Sequence, residues 1–236
     1  MSVETIVDFL EPINIYELSN DNGYRDTQLG RHIQFHEEEF PDVSNADMVI
    51  VGCGEMRGAG LEHTHTSAPN AIRSEFYSLF HWHKEVNVAD VGNIKSGATL
   101  QDTYAALKSV VSELVEQKKR VVILGGSHDI TMAQYGAYKS LQQIIEGVCV
   151  DARIDLNMDS VLPSDNFLME MLCGEPNYIK HYNHIGFQSY MVHPTMLETI
   201  DKLRFDCFRV GRVKENLEEM EPVIRNTNMF SFDIAA

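Results

Sequence analysis

Four side chains able to hold a metal ion stand just past apolar runs of this chain. His128 follows VVIL at 121–124, Asp151 and Asp155 follow VCV at 148–150, and Asp233 follows FSF at 230–232. In an open parallel sheet the ligand site lies beyond the carboxyl ends of the strands. These positions would therefore bring one imidazole and three carboxylates to one rim. A carboxylate after a strand is commonly a turn former or a helix cap. Three of them with a histidine make a donor set suited to Mn²⁺ or Zn²⁺, whereas carboxylates with water would suit Mg²⁺. Arg153 and Asn157 fall in the same stretch as Asp151 and Asp155, adding a fixed cation and an amide.

The elements that must position these groups are legible as alternating patterns. Residues 48–51, 86–91, 121–124, 148–150, 185–187, 205–210 and 229–234 read as strands. The run at 121–124 has no polar alternation, as in strands buried on both faces. The clearest helix follows Thr99, which with Asp102 forms a capping box. Leu100, Tyr104, Leu107, Val111, Leu114 and Val115 recur on one face of it, and Lys118, Lys119 and Arg120 put cations at its negative end. Ser67-Ala68-Pro69 is a plausible helix start with proline in the first turn. Another helix is expected from the GGSH segment to about Ile145. Strand–helix alternation predicts an α/β fold with a mainly parallel sheet. No Pro/Gly/Ser-rich linker divides the chain, so one domain, 1–236, is expected.

Composition narrows the partners. Lys and Arg number 19 and Asp and Glu 35, a formal charge of −16. Phosphate recognition needs clustered cations, so nucleic acid is not an expected partner. A small cationic substrate or a divalent metal suits such a field better. Cys53, Cys149, Cys173 and Cys207 stand far apart without a CxxC pair, which excludes a zinc ribbon or redox dithiol. Cys53 and Cys149 read as buried free thiols. The N-terminal stretch carries Glu4 and Asp8, and no run approaches the roughly 18 apolar residues of a membrane span. A cytoplasmic protein without a membrane partner is expected. The GCGEMRG segment at 52–58 lacks the third glycine of a dinucleotide loop, because Arg57 stands there. The alternate-position pairs His63/His65 and His81/His83 read as surface histidines.

Taken together, GGSHD at 125–129, DARID at 151–155 and SFDIA at 231–235 resemble the three motifs of the ureohydrolases: arginase, agmatinase and formimidoylglutamase. The usual forms are GGDHS, DAHxD and SFDxD. Ala71-Ile72-Arg73 after Pro69 resembles the family's GPxAIR, and Asp90-Val91-Gly92-Asn93 its DxGD. The resemblance runs from about Ile50 to the last residue. It implies a three-layer α/β/α sandwich around a mainly parallel sheet, and a trimeric or hexameric assembly. It also implies two Mn²⁺ ions bridged by a hydroxide that attacks a guanidinium or amidine carbon. Two cations lower the pKa of a shared water enough to supply hydroxide near neutral pH.

The resemblance assigns roles unevenly. His128 and Asp155 match ligands of the first metal, and Asp151 and Asp233 match the aspartates that bridge both. The second metal's own histidine is replaced by Arg153 and its own aspartate by Ala235. Three aspartates supply −3 and Arg153 supplies +1, a sum that one divalent cation neutralises. The expectation is that the Arg153 guanidinium stands in for the second metal, pairing with Asp151 and Asp233. The alternative is that it points to solvent. One Mn²⁺ rather than two, or none, follows. Asn157 matches a substrate-binding asparagine, and no proton shuttle is assigned. Family members continue past the third motif into one more central strand, whereas this chain stops at Ala236, so that last strand is expected to be missing. Two functions are open. One is a metal-dependent hydrolase of linear amidines or guanidines, closest to formimidoylglutamase, with impaired two-metal activity. The other is a non-catalytic relative that binds one metal or none and acts as a scaffold or ligand-binding module.

Overall fold

Strands form where β-branched apolar residues cluster, and helices where apolar residues recur every three to four positions. The computed structural model describes residues 6–19, 23–61 and 67–234. The chain divides into two units, Met1–Ala133 and Gln134–Ala236.

The first unit contains β1 (Leu10–Glu11), α1 (Ile15–Leu18), β2 (Gln34–Phe35), β3 (Met48–Gly52), α2 (Ser67–Ser78), β4 (Val88–Ile94), α3 (Leu100–Glu116) and β5 (Arg120–Leu124), and α4 (Thr131–Ser140) begins at its end. Its sheet has the order β1-β4-β3-β5, with β2 also on β4. Only β1 runs antiparallel to its neighbour. Ile13, Leu18, Ile33, Ile50, Tyr77 and Leu124 form a buried cluster, each of its aliphatic side chains contributing about 1.5–3 kcal/mol from burial. α3 begins as expected. Thr99 Oγ1 accepts from the Asp102 N–H at 3.2 Å, and the Thr99 N–H donates to Asp102 Oδ2 at 2.8 Å. Leu107, Val111 and Leu114 are buried on the predicted face, joined by Val110.

Two sequence motifs meet inside this unit. The Arg73 guanidinium, fully buried, donates to Asp90 through Nε at 2.7 Å and a terminal nitrogen at 3.0 Å. It also donates to Asn93 Oδ1 at 2.6 Å and to the Gly92 carbonyl at 3.0 Å. The Tyr77 hydroxyl donates to the same Asp90. The segment resembling GPxAIR and the segment resembling DxGD are thus partners, tying α2 to the end of β4. β4 extends past its expected end because Gly92, at φ +91°, lets the strand pass the Glu11 carbonyl, where a Cβ would meet it at 2.2 Å.

The second unit contains β6 (Ile145–Val150), α5 (Pro163–Cys173), β7 (Ile179–Phe187), α6 (Pro194–Lys202), β8 (Asp206–Arg209), α7 (Val210–Glu215), α8 (Met220–Arg225) and β9 (Met229–Phe232). Its sheet is parallel throughout, in the order β8-β7-β6-β9. Val148, Ile185 and Met220 centre its buried cluster. α4 stops well short of Ile145: Gln142 takes a left-handed φ of 54°, and β6 claims the residues that follow. β7 is far longer than the three residues expected, because the polar-looking HYNH stretch lies within it, with Tyr182, Asn183 and His184 buried. β9 ends its sheet's order, with Phe232 56% and Ile234 79% exposed. Among the described residues no helix is long and apolar enough to cross a membrane.

Candidate functional site

In the first unit, His128 opens a short 3₁₀ turn, His128–Ile130, after the Gly125-Gly126 pair. Both glycines take positive φ, +80° and +86°. A Cβ on Gly125 would lie 2.6 Å from the Pro69 ring, and one on Gly126 2.6 Å from the Cys53 carbonyl, so the loop needs residues without side chains there. Ser127 N–H donates to the Glu55 carbonyl at 2.8 Å, fixing where the turn starts. Asp129 is fully buried beside His128. The Tyr104 hydroxyl donates to its Oδ2, while its Oδ1 has no partner among the described residues. Asp129 stands where the usual motif has serine, and Ser127 where it has aspartate.

In the second unit the parallel register does the positioning. Val150 pairs with Phe232, so Asp151 and Asp233 are the next residues of adjacent strands. Asp151 N–H donates to the Ile185 carbonyl and Asp233 N–H to the Val150 carbonyl, each at 3.0 Å. Asp155 is buried on the loop after β6, and its carbonyl accepts from Leu168 of α5 at 3.2 Å. These aspartates therefore belong to the second unit and His128 to the first.

The Arg153 side chain departs from the expected pairing with Asp151. Its main-chain N–H, not its guanidinium, donates to Asp151 Oδ1, at 2.8 Å. The side chain is exposed and forms no ion pair with a described carboxylate. It lines a cavity of about 310 Å³ with Asp155, Asn157, Asp165, Met191 and Met196. Asn157 Oδ1 accepts from the Asp159 N–H at 3.2 Å, so this residue shapes its loop as well as the cavity wall. Ala235, His63 and His65 lie outside the described residues. His81 stacks on His32 at 4.2 Å, and His83 pairs with Glu85 at the surface.

Sequence reasoning missed a row under Asp151 that is buried at Cys149 and His184 and half-buried at Cys207. Cys149 of β6, His184 of β7 and Cys207 of β8 are register partners on neighbouring strands. Cys149 Sγ lies within 4.8 Å of an Asp151 carboxylate oxygen. His184 Nε2–H donates to the Asp151 carbonyl at 3.0 Å, and its Nδ1 meets the Tyr182 hydroxyl at 3.0 Å. Burial opposes protonation of His184, but the hydrogen bond with Cys149 and the nearby Asp151 outweigh it and hold the imidazole above its ordinary pKa. Burial, with Asp206 and Cys149 nearby, pushes the Cys207 thiol up to about 12. A polar pair at alternate positions in HYNH, in the middle of β7, is the signal that would have found Tyr182 and His184. Asp165, Met191 and Met196 had no local signal, since the last two come from the segment beyond β7.

Parallel strands that carry aspartates at their carboxyl ends are the architecture of the arginase-like α/β fold. The chain belongs to the arginase family, whose sequence model matches residues 46–236. A formimidoylglutamase of Lysinibacillus sphaericus is 26% identical over 79% of this chain and 59% of its own length, so the chain spans about three-fifths of that relative. Among solved structures, Trypanosoma cruzi formiminoglutamase with Mn²⁺ superposes with a TM-score of 0.74 at 18% identity, covering 89% of this chain and 75% of its own. Formimidoylglutamase from Bacillus subtilis gives 0.70 at 16% identity, covering 92% and 73%.

Proposed function

We propose that this chain is a metal-dependent hydrolase of linear amidines, formimidoylglutamase-like in its chemistry, that works with one Mn²⁺ rather than two. The observation that carries the reading is the β6–β9 register, which sets Asp151 and Asp233 at adjacent strand ends with Asp155 buried on the loop after β6. Family membership and the formimidoylglutamases it is similar to support it. Asp151, Asp155 and Asp233 would hold the ion, with His128 as the motif-matched imidazole. Carboxylate oxygens with one imidazole nitrogen suit Mn²⁺. A bound divalent ion supplies a water of lowered pKa and polarises the group under attack.

The chain's own residues do the rest. The Arg153 N–H fixes one oxygen of Asp151, and His184 holds its carbonyl, so that carboxylate is oriented before any ligand arrives. Asn157 offers an amide to the substrate from the cavity wall. Water adds across the amidine carbon and the C–N bond to the substrate's amine breaks. For a formimidoyl group this releases formamide and the free amine.

A second reading has one specific support: Arg153 stands where the family's second-metal histidine stands, as befits a relative that binds without turnover. Metal analysis after dialysis against Mn²⁺, with N-formimino-L-glutamate as substrate and L-glutamate release as readout, separates the two. One ion per chain with turnover is expected. Near two ions overturns the one-metal account, and one ion without turnover favours the binding protein. Asp233→Asn should lose the bound ion.

A further inference from the structure

Cys149 is the second residue before Asp151, so strand alternation sends both side chains to one face of the sheet that holds β6. Its register partners are Ser231 on β9 and His184 on β7. A buried thiol is ordinarily a small hydrophobe among apolar neighbours. Cys149 is only 4% exposed, yet its sulfur has polar company: an Asp151 carboxylate oxygen lies within 4.8 Å, and His184 hydrogen-bonds with it. The His184 ring is held at both nitrogens, by the Asp151 carbonyl and by the Tyr182 hydroxyl, each at 3.0 Å. It therefore ties the sulfur to the main chain that carries the carboxylate. A tetrahedral Zn²⁺ takes sulfur at about 2.3 Å and oxygen at about 2.0–2.2 Å, which sets two such donors about 3.6 Å apart. Little more than about 1 Å of side-chain movement brings Cys149 and Asp151 to that separation. Cys207 stands two strands from Cys149, roughly 10 Å, too far to share the ion.

We infer that Cys149 is a thiolate ligand, sharing an ion with Asp151, and that it turns this site toward thiophilic divalent metals such as Zn²⁺ and Cd²⁺. Thiolate selects such ions, whereas carboxylates and water suit Mn²⁺ or Mg²⁺. The thiol proton goes to solvent as the ion binds. His184 stands outside the ligand set and orients it, as the outer partners of metal ligands do. The inference deepens the metal-dependent reading and rests on it for Asp151 as a ligand. It adds that Zn²⁺ displaces Mn²⁺ here by more than the general order of affinities for nitrogen and oxygen sites requires.

Cys173 is exposed, so the full chain carrying Cys173→Ser, kept reduced, serves as parent for the test. X-ray absorption of this parent loaded with Zn²⁺ needs no change at Cys149. One sulfur at about 2.3 Å among oxygen and nitrogen donors is expected; a shell without sulfur overturns the assignment. Cd²⁺ should give the parent an ultraviolet sulfur-to-metal charge-transfer band that Cys149→Ser abolishes and Cys207→Ser keeps. Competition titrations with the metals alone complete the set. Cys149→Ser should weaken Zn²⁺ about tenfold or more, at least the scale of losing an outer partner of a ligand, and Mn²⁺ much less. A band that survives Cys149→Ser, or an equal loss of Zn²⁺ and Mn²⁺ affinity, would each overturn the thiolate. Amidine hydrolysis is measured separately with Mn²⁺. A Cys149-dependent band without turnover sinks the hydrolase reading alone. Turnover with no sulfur around Zn²⁺ sinks the thiolate alone.

Discussion

Replacing Asp90 with Asn should be among the most damaging single changes in the first unit. The exchange keeps the shape but removes the counter-charge of Arg73, whose side chain and that of Asp90 are both fully shielded from solvent. Breaking a buried ion pair from one side leaves an uncompensated charge and costs about 3–5 kcal/mol. Against a total stability of about 5–15 kcal/mol, that is about a fifth or more. Arg73→Met should cost a similar amount, because Asp90 then keeps only Tyr77 and the Gly92 N–H. The two changes remove the same interaction. The double variant should therefore cost less than their sum, by about 2–3 kcal/mol, the upper range for contacting residues. Glu221→Gln is the control: its pair with Arg225, at 3.3 Å on an exposed helix face, is expected to matter by about 0.3–0.5 kcal/mol. Urea unfolding should be followed by far-ultraviolet circular dichroism, since the lone Trp82 is 81% exposed and reports little of burial. An Asp90→Asn cost below about 1 kcal/mol, or strict additivity in the double variant, would show that water reaches the guanidinium and that the shielding argument is wrong.

Two further outcomes follow from polar groups in the same unit. Tyr104→Phe removes the hydroxyl donor to Asp129 and should destabilise by about 1.5–3 kcal/mol, the range for a hydrogen bond to a charged group; a loss within the error of the unfolding curve would mean that Asp129 is solvated. Glu55 gives a pH dependence. Burial works against its ionisation, but the hydrogen bonds and charge of Arg57 prevail and hold its pKa at about 2, below an ordinary 4.5. A depressed folded-state pKa stabilises above the unfolded value, and that stabilisation fades as pH falls from about 4.5 toward 2. Glu55→Gln should therefore be less stable than the parent at pH 6, with the difference shrinking in unfolding curves taken down to pH 3. A gap that widens on acidification would contradict the sign.

The legible part of the fold was the part written in apolar runs and local caps. The run at 121–124 is a strand, and Thr99 with Asp102 starts the helix they signal. Strand-end logic also located Asp151 and Asp233, because register in a parallel sheet follows from where each run stops. What escaped was set by distant parts of the chain. Most of β7 looks polar, and His184 reads as a buried residue only once β6 and β8 flank it. Met191 and Met196 share a cavity wall with Arg153 through chain tracing that no local spacing encodes. Residue type placed a cation after Asp151, but the direction of a long side chain depends on the cavity beside it. There the expected pairing gave way to an open wall.

The rim of β9 bears on how this protein behaves in a crowded tube. Phe232 and Ile234 give that border a greasy, extended face of the kind on which other strands settle. Mutual repulsion between molecules that each carry sixteen excess negative charges holds such borders apart at low salt. Electrolyte shortens the reach of that repulsion to about 8 Å at physiological strength while leaving the greasy face as sticky as before. Clouding on addition of sodium chloride, rather than on dilution, is the handling hazard built into this border.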